Sequence, residues 1–313
     1  MADKTYSFDK STQTLTVYSA TGVHDFCFDT ADFEIGHGYP VHPKFNYKVV
    51  IDNSVTNCSG MFEGCKSFNK PVTIPDSVID CSFMFVRCKS FNQPIVIPNS
   101  VTRCECMFHC CDSFNQPITI PDLVTDCHGM FYCCWSFNQP IKIPDLVTNC
   151  GYMLHSCYSF NQPITIPNSV TNCADMFKFC ESFNQPVTIP NSVTDCHDMF
   201  CGCESFNQPV TIPDSVTDCV DMFSWCKSLN QPVTIPNSAT RNWGVVSGCP
   251  LMNEDGTPKA IAATYTLSSL QQDVPTLIKV MEKHIDDYTE WFNTKFPNGA
   301  SSAEEVLAKL KDD

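Results

Sequence analysis

Val170-Thr171-Asn172-Cys173-Ala174-Asp175-Met176-Phe177-Lys178-Phe179-Cys180-Glu181-Ser182-Phe183-Asn184-Gln185-Pro186-Val187-Thr188-Ile189-Pro190-Asn191-Ser192 is one copy of a unit that fills most of the chain. Its phenylalanine recurs every 23 residues at Phe68, Phe91, Phe114, Phe137, Phe160, Phe183 and Phe206, with Leu229 closing the series, and each is followed by Asn. Self-similarity at a period of this length predicts a solenoid, in which one supersecondary unit stacks on the next. Such an array offers no natural active-site crevice, so it favours binding over catalysis.

Within a unit the residue types divide the labour. Cys81, Met84, Phe85 and Cys88 recur at steps of three and four, which predicts a short helical or 3₁₀ segment with all four on its inner face. In Pro71-Val72-Thr73-Ile74-Pro75 the apolar residues alternate with Thr, which predicts a short strand bracketed by prolines. Asp76-Ser77, and its Asn or Asp counterparts in later copies, supply turn residues that bond their own backbone. The Asn column, Asn69 to Asn230, is expected to satisfy turn backbone groups and stacked neighbours, with a ligand-binding amide ladder as the sharper alternative.

The I-P-[DN]-S-V run followed by an apolar pair and C-x-S-F resembles the BspA-like, or Treponema-type, leucine-rich repeats. V-T-x-C-x-x-M-F-x-x-C-x-S-F-N-Q-P also resembles the related repeat of Mycoplasma surface lipoproteins. The likeness covers residues 45–254, with Ile at the strand position from Ile74 and Ile97 to Ile235. It implies a curved right-handed solenoid used for adhesion or protein recognition. Two departures are the lack of a signal-like start and of the Trp-Asp pair that marks the turn in the Mycoplasma relatives.

Of 313 residues, 43% are hydrophobic, and 19 Lys and Arg face 34 Asp and Glu for a net charge of -15. Phosphate binding needs clustered cations, so nucleic acid and anionic membrane are poor partners. No stretch has the apolar length of a membrane span or a secretory signal, so membrane insertion is not expected. The expected setting is the cytosol or a virion, with the cell surface by a non-Sec route as the alternative.

Twenty-two cysteines would ordinarily suggest a secreted disulfide framework. Here most obey the repeat, in one column from Cys58 to Cys219 and another from Cys65 to Cys249, and small buried thiols account for both columns. In-register side chains on stacked coils point the same way, which disfavours disulfides. Six residues separate the columns, against the closer pairs that zinc sites use, so neither metal nor cofactor is expected. Cys106, Cys110, Cys133 and Cys201 depart from the columns near His109, His128 and His197, leaving a local site open. Asp76, Asp80, Asp122, Asp126, Asp145, Asp195, Asp214 and Asp218 read as turn residues ahead of calcium ligands.

Three segments follow. Residues 1–44 are expected to form a β cap, because Tyr6 to Tyr18 reads as two alternating strands around a polar turn; residues 45–254 form the solenoid. In residues 255–313, Val274, Ile278, Met281, Ile285, Tyr288 and Phe292 define an a/d seam, and Ser302 with Glu305 reads as a capping box. That helical tail is either a cap or an oligomerisation helix giving a homo-oligomer. The fold class is thus a leucine-rich-repeat-like β solenoid of 23-residue coils with short strands and short helical or 3₁₀ returns, an N-terminal β-hairpin cap and a C-terminal α-helical tail.

Copies differ from one another beside Met-Phe and after the second Cys. Those positions carry His109, Tyr132, Trp135, Tyr152, His155, Tyr158, Phe179 and Trp225, with Phe83, Arg87 and Lys178. Unconstrained solvent positions would drift toward Lys, Glu, Ser and Thr, whereas aromatic and His side chains on a rigid flank suit a recognition face for a protein or a surface glycan receptor. No catalytic motif is present, and Cys127-His128 and Cys196-His197, as sequence neighbours, point in different directions. The chain is therefore expected to be a non-enzymatic recognition solenoid. The alternative is a phage virion or decoration protein whose solenoid is a spacer and whose C-terminal helices dock.

Overall fold

In the segment Cys81–Cys88 every second backbone N–H leaves its own coil. Cys81, Phe83, Phe85 and Arg87 donate to the carbonyls of Arg103, Glu105, Met107 and His109, one coil further on, at 2.7–2.9 Å. The N–H groups between them stay local, Met84 bonding to Cys81, Val86 to Phe83 and Cys88 to Phe85. Phe83 and Arg87 both have φ of +60°. A β-turn closed by an i+3 to i bond with a left-handed residue at i+2 is a type II turn. The return is thus a chain of consecutive turns, not the short helix or 3₁₀ segment that the spacing predicts, because the next coil claims the donors a helix would keep for itself. The inward face is as expected: Cys81, Met84, Phe85 and Cys88 are all fully buried.

The computed structural model describes residues 4–30, 34–36 and 39–259. In the array, Val72 and Ile74 are buried while Thr73 is exposed, yet Pro71–Pro75 is not a regular strand. A proline cannot donate to a ladder, and here one stands at each end. The equivalent segment with Lys48 and Asp52 in place of the prolines does form a strand, β5 (Lys48–Ile51). The exception supports the cause.

Three ladders run along the stack. Rings repeat in register, with Phe108 4.3 Å from Phe114 within a coil and 5.6 Å from Phe131 across coils at 6° between planes. Asn92 N–H donates to the Asn69 Oδ1 at 3.0 Å, and the bond recurs every 23 residues to Asn230, so one side-chain oxygen closes each turn on the coil before it. The second cysteine column donates S–H to a carbonyl 26 residues back, as Cys134 does to Phe108 at 3.0 Å. Burial pushes the first column's thiols up, Cys104 to about 12. The first column's thiols are inert packing groups.

The N-terminal cap contains more than a hairpin. β1 (Tyr6–Asp9) pairs antiparallel with β2 (Thr14–Val17), and β2 lies parallel to β5 with Leu15 opposite Val49 and Val17 opposite Ile51. Helix α1 (Gly22–Asp29) follows, burying Val23, Phe26 and Cys27, and then β3 (Glu34–Gly36) pairs with β4 (Tyr39–Val41). Phe26 packs 4.8 Å from Phe8 and 5.4 Å from Tyr47, which roofs the first coil with aromatic rings. An eight-residue helix offers too few turns for periodicity to reveal it. At the far end Val233 N–H bonds to the Gly256 carbonyl, and the first compact unit ends at Pro258. Val274, Ile278, Met281, Ile285, Tyr288 and Phe292 lie outside the described residues. Among the described residues no helix is long and apolar enough to cross a membrane.

Phe137 lies 4.3 Å from Phe131 and within stacking distance of Phe114 and Phe160, so Phe137→Ala should cost about 3–5 kcal/mol. Gln139→Ala removes one hydrogen bond to Asn115 and should cost about 1 kcal/mol or less. Hydrogen exchange of the Phe137 variant is expected to lose protection in the adjoining coils before the distant ones, since coils touch only their neighbours.

Candidate functional site

Alternate type II turns place a left-handed residue two and six positions after the first cysteine of every coil. In the coil beginning at Cys58 these are Gly60 and Gly64, the residue type that adopts positive φ without steric penalty. Elsewhere the same two columns hold Phe83, Tyr152, Phe179 and Trp225, with φ between 58° and 61°. A side chain with Cβ in this conformation costs about 1–2 kcal/mol. The variable positions read from the sequence therefore include the strained ones.

The backbone twist also tips these side chains along the stack. A Cβ at Gly202 would collide with the Phe179 ring, one at Gly248 with the Trp225 ring and one at Gly129 with the Cys106 sulfur. Each side chain at a left-handed site thus lies over the same position one coil on, and glycine there makes room.

The flank brings most of the predicted recognition residues together. His109 stacks on Tyr132 at 4.5 Å, Tyr132 on His155 at 4.5 Å, and His155 meets the edge of Phe179 at 5.7 Å, with Tyr152 6.2 Å from Tyr132. Trp135 and Tyr158 form a second stacked pair at 6.0 Å, with the Lys89 ammonium 5.6 Å over the Trp135 ring. Trp135, Phe179 and Trp225 are 44%, 39% and 61% exposed. Trp225 stands apart from the ring ladder, two coils beyond Phe179. One expectation needs correction: His155 is buried, held between the rings of Tyr132 and Phe179, so it supports the face and is not a contact on it.

Sequence reading missed the charged network beside this face. The Lys178 ammonium bonds to the buried Asp175 at 3.0 Å and to Asp198 at 2.9 Å, while His197 Nε2 lies 2.9 Å from the other Asp175 oxygen. Asp175, His197 and Asp198 offer donor atoms close enough for one cation, as do Asp195, His197 and Asp218. The Lys178 ammonium pairs with both carboxylates of the first set, and Arg241 pairs with Asp218 in the second. Both sets act as ion-paired struts across coils. Cys127 and Cys196 are fully buried while their His neighbours are not, so neither pair makes a nucleophile and base.

The family described as Mycoplasma protein of unknown function, DUF285, matches residues 46–142, 120–211 and 167–243. No curated protein matches. Among solved structures, the chain is similar to a leucine-rich repeat protein from Bacteroides ovatus at 21% identity and a TM-score of 0.38, over 76% of this chain and 54% of that one. It is also similar to a Treponema pallidum leucine-rich repeat protein at 19% identity and 0.40, over 73% and 89% of the two chains. A leucine-rich cell surface protein from Faecalibacterium prausnitzii is likewise similar at 19% identity and 0.38, over 80% and 86%. The chain spans about half the length of the Bacteroides protein.

Two outcomes follow from the geometry. Gly202→Ala meets both a strained φ and the Phe179 ring, so it should destabilise by about 1–3 kcal/mol in denaturant titration. Adding Phe179→Ala should recover the steric share and leave the backbone share. Burial first, and then the Arg87 charge, pushes His109 down to about 4 from 6.5. The unfolded chain therefore takes up a proton before the folded chain does, and stability present above pH 6.5 is lost as pH falls toward 4. His109→Phe keeps the ring stack and should flatten that part of the stability profile.

Proposed function

Because this chain belongs to the DUF285 family, whose function is unknown, we propose a function from its own surface: a non-enzymatic solenoid that recognises a protein partner through the aromatic flank. The observation that carries this reading is the mounting of exposed Phe83, Phe179 and Trp225 on backbone positions where glycine is cheaper. The core gains nothing from those rings. Strain of this kind is retained where a side chain serves a purpose beyond stability. Rigid aromatic anchors, with Trp135 and Tyr158 alongside, are what protein interfaces use for most of their affinity. The fixed columns hold the flank in register, so little entropy is lost on binding.

Changing Trp135, Tyr158, Phe179 and Trp225 together to Ser leaves every inward column intact. A hot-spot aromatic is typically worth about 2 kcal/mol or more, so each lost anchor should weaken binding by roughly 30-fold. Proteins retained by the immobilised wild-type chain, identified by mass spectrometry and then titrated against both forms, provide the measurement. Unchanged circular dichroism with loss of the partner is the expected result. Normal binding by the variant, with loss on deleting residues 260–313, would move recognition to the C-terminal segment and leave the solenoid as a spacer.

A further inference from the structure

Of the 22 cysteines, Cys110 and Cys133 alone are half-buried; the rest are buried. Both occupy the second left-handed column, with φ of 59° and 57°, in consecutive coils. Their backbones run side by side: Cys110 N–H donates to the Tyr132 carbonyl at 2.7 Å, and Cys133 N–H to the His155 carbonyl at 2.8 Å. Side chains in this column lie over the residue one coil on, as Phe179 lies over Gly202. Cys110 accordingly lies against Cys133. Ser156 follows Cys133 in the same left-handed column one coil on, and its Oγ sits 2.9 Å from His155 Nδ1.

Neighbouring strands lie about 4.7–4.9 Å apart, inside the Cα window that a disulfide spans. Stacked side chains ordinarily point the same way and fail to meet. The left-handed backbone removes that obstacle by turning one sulfur along the stack onto the next.

We infer that Cys110 and Cys133 form a redox-active dithiol, which a hydroperoxide oxidises to an inter-coil disulfide and a small thiol reductant restores. The Cys133 thiolate attacks the peroxide oxygen, the O–O bond breaks, and the alcohol or water leaves with the proton that Cys133 released. Cys133 is then a sulfenic acid. The Cys110 sulfur attacks it, the S–S bond forms, the S–O bond breaks, and hydroxide leaves as water with the Cys110 proton. Two thiols give two electrons to one peroxide, and nothing else is consumed.

The division of roles follows from the contacts. The neighbouring Cys110, and then His155 and Ser156, hold the Cys133 thiol below its ordinary range although burial opposes them. The neighbouring Cys133, together with burial, pushes Cys110 upward. His155 and Ser156 stand beside Cys133 and not beside Cys110, which makes Cys133 the attacking group and Cys110 the resolving one. The site stands independently of the recognition reading.

The test uses the full chain, reduced, desalted and exposed to near-stoichiometric hydrogen peroxide at neutral pH, followed by alkylation and peptide mapping. The count of 22 thiols should fall by two, with Cys110 and Cys133 recovered as one cross-linked peptide that a phosphine reductant releases. Cys133→Ser should slow peroxide consumption by about ten-fold or more, while Cys110→Ser should leave a Cys133 sulfenic acid that dimedone traps. Circular dichroism confirms that each variant is folded. Both cysteines still free, cross-links spread over the buried columns, or wild-type consumption by the Cys133→Ser chain would each overturn the assignment.

Discussion

Alternate N–H groups of the return segment bond to the following coil, and the rest of the structure depends on that division. It is a backbone constraint, indifferent to side chains, and it repeats wherever a coil stacks. Once every second donor is committed outward, the others close only three-residue steps, and every second step needs a left-handed residue. The inward Met and Phe, the cysteines on either side of them and the strained outward positions all follow from one pattern of bonds. A core of stacked rings then supplies the burial that holds the bonds in place.

Much of this was legible from residues alone, because the inward positions are the ones that repeat. Phe91, Cys88 and Asn92 recur at fixed offsets, and each proves to occupy a ladder with its counterparts. What could not be read was the handedness of the backbone. Steps of three and four between Cys81 and Cys88 fit a helix equally well, since a chain of turns presents the same residues to the same side. One signal was available: Gly60, Gly64, Gly129, Gly202, Gly244 and Gly248 all fall in the same two columns, which is what positive φ requires. The prolines carried a second signal, since they mark an extended segment that cannot enter a ladder.

The flank was legible as a place but not as an arrangement. Tyr132, Trp135, Tyr158 and Phe179 stand where variable positions ought to stand. His155 differs because its neighbours one coil before and one coil after are both aromatic, a fact that requires knowing which columns touch. The same applies to Asp175, which lies in one coil and meets His197 in the next directly and Asp198 through the shared Lys178 ammonium. Contacts across coils link residues some 20 positions apart, and no local pattern marks them.

The tilt of left-handed side chains onto the next coil limits how such an array can evolve. Nearly identical units invite gain or loss of whole copies by unequal recombination, and the core would accept it, because the coils present the same Cys, Met, Phe and Asn to their neighbours with few exceptions, such as Leu154 and Leu229. The outer columns would not. Phe179 needs the glycine at 202 and Trp225 the glycine at 248, so excising the intervening copy would set Trp225 directly after Phe179, with no small residue beneath the first ring. Copies are interchangeable on the inside and ordered on the outside, and lineages of this chain should therefore exchange units in pairs more readily than singly.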